Sequence, residues 1–172
     1  YVMELQKRYG VSIGADDWVK DDVQYVYEKG LMLGTGEGTF SPYLNTTRGM
    51  IVTILYRLEG KPVASDSRPF DDVESGKYYE KAILWAVENH IIEGYGNGKF
   101  GPEDDISREQ MTTILYNYAK FKGYDVSKMT DLSRFTDSNK ISVWASTPLA
   151  WGNALRCEVA AILHRFEEKI VK

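Results

Sequence analysis

One cysteine, Cys157, among 172 residues excludes an internal disulfide, and two histidines far apart in sequence, His90 and His164, leave little from which to build a His/Cys metal site. No apolar run approaches the roughly 18 residues that a membrane span needs. The chain opens at Tyr1 without a basic-then-apolar pattern, so any export signal is expected to lie outside it. Basic residues are the minority charge: 21 Lys and Arg against 25 Asp and Glu leave −4, which argues against a general nucleic-acid binder. What remains, 43% hydrophobic and 27% charged, is the composition of a globular protein. Aromatics are plentiful (12 Tyr, 6 Phe, 4 Trp). Rings supply much buried area per residue, which suits small repeated units, and core packing accounts for most of them; they also suit stacking on the apolar faces of sugars.

The chain repeats itself. Trp18–Leu58 aligns with Tyr78–Tyr118 at an offset of 60 without a gap. The identities include Gly34/Gly94, Gly36/Gly96, Gly38/Gly98, Phe40/Phe100, Pro42/Pro102, Arg48/Arg108 and Ile54-Leu55-Tyr56 with Ile114-Leu115-Tyr116. Each unit reads helix–loop–helix. First helices are predicted at about Trp18–Lys29 and Tyr78–Asn89 from apolar residues at helical spacing, including Val23 and Val26, and Ile83 and Ala86. This spacing also sets His90 on a helix as a packing residue. A short hairpin is predicted around the tight-turn pair Asn97-Gly98. Second helices follow Thr47 and Ser107: Ser107-Arg108-Glu109-Gln110 is a capping box, whereas Thr47 keeps the hydroxyl cap but has Met50 at the reciprocal position. Apolar stripes at Ile51/Ile54/Leu55/Leu58, Met111/Ile114/Leu115/Tyr118 and Val159/Ile162/Leu163/Phe166 predict that the second helices meet in a common core.

A third, shorter copy follows. Phe135-Thr136-Asp137 echoes Phe70-Asp71-Asp72; Trp144–Trp151 match Tyr78–Trp85 at offset 66, and Arg156–Phe166 match Arg108–Tyr118 at offset 48. The 18-residue fall in offset corresponds to the end of a first helix and a whole loop. It predicts that a segment is missing between Trp151 and Gly152, so that the two are not natural neighbours. The organisation is thus an N-terminal segment, 1–15, with a helical pattern at its start, and units at 16–62, 70–122 and 135–168, the last lacking about 18 residues.

These motifs resemble the surface-layer homology (SLH) family, whose pattern opens with Phe and Asp, passes through a Gly-rich loop ending in Phe-x-Pro, and resumes with a Thr-Arg-Ala-Glu-like helix start and an Ile-Leu-Tyr-Arg-like finish. The resemblance covers about residues 16–168. It implies an all-α fold of three repeats in a pseudo-threefold arrangement. It also implies a non-catalytic, extracellular anchor on the bacterial cell wall, whose inter-repeat grooves hold secondary cell-wall polysaccharide, often bearing a pyruvate ketal. The signature arginine, the family's main ligand contact, maps to Arg48, Arg108 and Arg156. The four-residue motif departs from the family everywhere: Thr47-Arg48-Gly49-Met50, Ser107-Arg108-Glu109-Gln110 and Leu155-Arg156-Cys157-Glu158, the third having lost its hydroxyl cap.

Physical chemistry supports these arginines as anion ligands. A helix N-terminus carries positive partial charge and unsatisfied amides, and a guanidinium adds a fork that grips a carboxylate. The alternative for Arg48 and Arg108 is an ion pair with an Asp or Glu of a neighbouring repeat. Candidate partners at the site are the caps Thr47 and Ser107 and the equivalent aromatics Trp18, Tyr78 and Trp144; Trp85 and Trp151 are expected to pack inside. Gly34 and Gly94 either admit a ligand to the backbone or cap helix C-termini. No cofactor is implied. Two other classes compete. A wall-active enzyme is disfavoured because the acidic pairs Asp16-Asp17, Asp71-Asp72 and Asp104-Asp105 fall at helix starts or linkers, where carboxylates cap. A calcium module is disfavoured because Gly34–Phe40 offers one carboxylate and Gly94–Phe100 none.

Overall fold

The computed structural model describes residues 20–36, 40–41 and 44–155. They are all-helical: α1 (Lys20–Glu28), α2 (Arg48–Leu58), α3 (Glu80–Glu88), α4 (Arg108–Phe121) and α5 (Ser146–Leu155), with short 3-10 turns at Ser138–Lys140 and Val143–Ala145 and no strand among the described residues. Two compact units result, one holding residues 46–155 and the other the described residues before 46. Trp18, Cys157, His164, the N-terminal helical pattern, Arg156 and the third apolar stripe lie outside the described residues, and with them the expected pseudo-threefold arrangement.

The helices begin where their caps put them. The Thr47 hydroxyl accepts the Met50 N–H at 3.3 Å. At α4 the box is complete: Ser107 Oγ accepts from Gln110 N at 3.2 Å, and Gln110 Oε1 accepts from Ser107 N at 3.0 Å. They end in a recurrent way, with a left-handed residue and a pair of reversed backbone bonds. Gly30 (φ 66°) closes α1, with Leu31 N–H on Val26 O; Gly123 (φ 72°) closes α4, with Tyr124 N–H on Ala119 O. At α3 the same post is held by His90 (φ 56°), with Ile91 N–H on Ala86 O at 2.8 Å. His90 is therefore an exposed stop residue rather than a packing residue on a helix.

In the 46–155 unit, α2 packs on α3 and touches α4, while α4 packs on α5. The predicted stripes are inside: Ile51, Ile54 and Leu55 of α2 and Ile114, Leu115 and Tyr118 of α4 are buried, and Val52 joins them from outside the stripe. Trp85 and Trp151 pack inside as expected, Trp85 between the rings of Tyr56 (5.8 Å) and Phe121 (5.9 Å), Trp151 against Tyr116 (5.7 Å). Glu59, capping α2, accepts a hydrogen bond from the Tyr118 hydroxyl and pairs with Lys122 at 2.9 Å, tying the ends of α2 and α4 together.

The Gly-rich loop after α3 is held by the Phe-Asp-Asp segment. Asp72 accepts the amides of Phe100 (2.9 Å) and Gly101 (2.8 Å), Asp71 N–H bonds Gly98 O, and the Phe70 ring sits 5.6 Å from that of Phe100. Around Asn97-Gly98 a single cross-turn bond, Tyr95 N–H to Lys99 O at 2.8 Å, stands where a hairpin was expected. One expectation is overturned. Helix α5 runs without interruption through Trp151 and Gly152, so these residues are bonded neighbours and the short copy is a true truncation.

Candidate functional site

The start of α2 is not an open anion site, because the loop after α3 has filled it. Arg48 N–H donates to Asp104 O (3.0 Å) and Gly49 N–H to Pro102 O (2.9 Å), while Met50 N–H is taken by the Thr47 hydroxyl. Ile106 N–H returns a bond to Thr46 O, and Thr47 and Asp105 form an antiparallel bridge. Gly49 is the residue this needs: a Cβ there would lie 2.7 Å from Pro102 O.

The Arg48 side chain follows its backbone into the same loop. Its Nε donates to Phe100 O at 2.9 Å and its Nη2 to Glu93 O at 3.2 Å. The guanidinium carbon lies 4.4 Å from the Phe100 ring centre and 4.6 Å from that of Tyr95, inside the range of cation–π attraction. Arg48 is only 5% exposed, and burial lowers its pKa, partly offset by Tyr95, Asp104 and Asp72 acting through space. Its partners are therefore the backbone carbonyls of the neighbouring unit, not the carboxylates considered from sequence. No ion pair to Arg48 forms among the described residues, so its charge is held in place without being neutralised.

Arg48 also lines a groove of about 650 Å³. Its walls come from the Ile91–Tyr95 stretch after α3, from Gln110, Tyr116 and Asn117 of α4, and from Trp144, Thr147 and Pro148. Trp144 is 55% exposed, and Tyr95 is exposed too, its hydroxyl anchored on Asp104 at 2.9 Å and its pKa raised by burial. The lining is aromatic and amide-bearing, with one cation, Arg48, and one carboxylate, Glu93. The structure thus brings together three of the residues singled out from sequence: Arg48, Gly94 and Trp144.

The others are elsewhere. Thr47 is spent as a helix cap. Tyr78, 49% exposed, stands near Thr47, Arg57 and Glu103 and is absent from the groove lining; burial raises its pKa. Ser107 caps α4. Arg108 is exposed and makes no hydrogen bond or ion pair with another described residue, and neither do the Arg108 and Glu109 amides. The reason lies in the truncation: the loop that would do for Arg108 what Glu93–Asp104 does for Arg48 falls in the missing stretch. Gly34 is exposed, in the other compact unit. Gly94 is not a helix cap: a Cβ there would lie 2.3 Å from the Phe70 ring, so its smallness serves packing of the loop. Sequence reasoning missed Tyr95, Gln110, Tyr116 and Asn117. Among the described residues, no three His, Cys, Asp or Glu side chains gather to hold a metal ion, and no helix is long and apolar enough to cross a membrane.

Helix pairs whose Gly-rich loops reach back to cap the preceding unit define a tandem helical module, and the comparisons name it. The S-layer homology domain profile matches residues 12–49 and 69–112. The chain belongs to the S-layer homology domain family, the non-catalytic module found in S-layer proteins and in surface enzymes. Similar proteins include an amylopullulanase of Thermoanaerobacterium thermosulfurigenes, 29% identical over 90% of this chain and 9% of that protein. An endoglucanase of Bacillus sp. (strain KSM-635) is 31% identical over 74% of this chain and 13% of its own length. The S-layer protein sap of Bacillus anthracis is 30% identical over 70% of this chain and 15% of its own. The chain therefore spans less than one fifth of each of these relatives.

Proposed function

We propose that this chain is a cell-wall anchor that binds an anionic secondary wall polysaccharide in the groove between α4 and the Trp144 turn. The observation that carries the reading is Arg48: a buried guanidinium, fixed by two carbonyls and two rings, without a carboxylate partner, at a groove shared with exposed Trp144 and Tyr95. A desolvated cation left without its counter-ion attracts an anionic group more strongly than a solvated one does, and the rings offer faces on which sugars stack. The relatives add support. An amylopullulanase, an endoglucanase and an S-layer protein share this segment and little else by length, so what they share is not their catalysis. Arg108, open to solvent at the start of α4, is a second, weaker contact for the same polymer, and Arg156 a third.

The test is sedimentation of the purified protein with bacterial cell walls, before and after the wall polysaccharide is stripped by acid. Binding that disappears on stripping, and that weakens with added salt as an exposed charge contact must, supports the reading. Equal binding to stripped walls overturns it.

A further inference from the structure

The junction between the second unit and the truncated one lacks the loop that locks the first junction, yet the Trp144 turn is held firmly against α4. One residue does this. Both oxygens of the Glu109 carboxylate are engaged by Ser142: Oε1 accepts its N–H at 2.9 Å and Oε2 its hydroxyl at 2.8 Å. Ser142 in turn is the N-terminal residue of the Val143–Ala145 turn, whose Ala145 N–H returns to Ser142 O at 2.9 Å. That turn carries Trp144, a wall of the groove. Glu109 also stands in the first turn of α4, where the helix dipole favours a carboxylate.

The position gives the argument its force. Glu109 aligns with Gly49 in the preceding unit, where any side chain would strike Pro102 O. Where a full loop arrives, only glycine fits. Where the loop is missing, the vacated space admits a carboxylate, and that carboxylate reaches the next turn. We propose that Glu109 is a positioning residue: it replaces the absent loop as the latch that holds Trp144 at its distance from Tyr95 and Arg48, and so sets the width of the groove. The inference rests on the groove reading given above.

The experiment uses the whole chain with Glu109→Ala, Glu109→Gln and, separately, Trp144→Ala. Two quantities are read: hydrogen exchange at the Ser142 amide, which reports the latch itself, and affinity for purified bacterial cell walls. Glu109→Ala should accelerate Ser142 exchange and weaken wall binding about tenfold, the scale of losing hydrogen bonds to a charged acceptor. The melting temperature checks that the variant is folded. Glu109→Gln keeps an oxygen for the Ser142 amide and an N–H for its hydroxyl, and should restore binding to within about twofold, a rescue that a purely electrostatic role of Glu109 would not give. Unchanged Ser142 exchange in folded Glu109→Ala overturns the latch. Faster exchange with undiminished wall binding overturns the positioning role, and Trp144→Ala then shows where the error lay. If Trp144→Ala loses binding, the groove stands and only the role of Glu109 is wrong; if Trp144→Ala binds like the parent, the groove reading itself has failed.

Discussion

The ring of Phe70 occupies the space that a side chain on Gly94 would need: a Cβ placed there lies 2.3 Å from Phe70 Cε1 and 2.6 Å from Lys99 O. The second obstacle is backbone and cannot swing aside. Gly94→Ala should therefore destabilise the fold by about 1–3 kcal/mol, the range for overpacking a filled core. Phe70→Leu in the same chain removes the first obstacle but not the second, so the double variant should lose less than the sum of the singles. Urea unfolding of the three variants measures both effects.

The two described arginines of the repeat should separate in their roles. Arg48→Ala leaves the carbonyls of Phe100 and Glu93 without their donors and empties a space between two rings. It should cost about 2–4 kcal/mol of stability, in line with loss of hydrogen bonds to a charged group. Arg108→Ala touches nothing described and should stay within about 0.5 kcal/mol of the parent, which makes it the cleaner probe of ligand binding. Thermal melts together with wall sedimentation distinguish the two; if Arg108→Ala melts far below the parent, the exposed assignment of Arg108 is wrong.

His90 holds a left-handed conformation that glycine holds in α1 and α4. Relief of the Cβ penalty at this position should make His90→Gly more stable than the parent by about 0.5–1 kcal/mol. The substitution removes no described hydrogen bond of the His90 side chain, so chemical denaturation reads the backbone effect alone. A less stable variant would mean that the imidazole contributes contacts outweighing the strain.

Glu80 provides a pH signature. Its carboxylate accepts the Gly76 amide at 2.8 Å, the Ser75 hydroxyl and Arg68 at 2.9 Å, and these bonds, the Gly76 amide foremost, hold its pKa below the ordinary carboxylate value. A carboxylate with a depressed folded pKa contributes stability that is fully present above its unfolded pKa and lost as pH falls through the folded one. Melting temperature should accordingly decline on acidification beneath the ordinary carboxylate range. Glu80→Gln should melt lower at neutral pH and show a shallower decline, and equal slopes for the two proteins would exclude Glu80 as a contributor.

What could be read from the sequence is what depends on neighbours in sequence. The caps at Thr47 and Ser107 need partners three residues away, and the buried stripes of α2 and α4 need only helical spacing, so both were visible without a structure. The anchoring role came from resemblance, which the family match supports, and not from chemistry legible in the residues. The cradle of Arg48 was hidden because its acceptors are main-chain carbonyls 45 and 52 residues away, and a carbonyl leaves no letter in a sequence. The latch between Glu109 and Ser142 was hidden for a different reason: within α4, Glu109 reads as an ordinary first-turn acid. His90 was misjudged because its spacing continues a helical face, whereas the backbone had already turned left-handed there. The groove could not be assembled by inspection, since Arg48 and Trp144 belong to units that are not consecutive.

The loop that reaches back to the start of α2 means that the span duplicated in the gene and the span completed in folding are out of phase. The compact unit opens at residue 46, in the middle of the first duplicated segment. A fragment cut at the seams of the duplication would leave α2 with bare amides at its front and an arginine stripped of its carbonyls, whereas a fragment cut half a period later keeps every lock with its key. Duplication therefore cannot add an isolated, self-sufficient module here. Each new copy finishes its predecessor and waits to be finished by its successor, and the chain's last copies, short of a loop, mark where that relay stops.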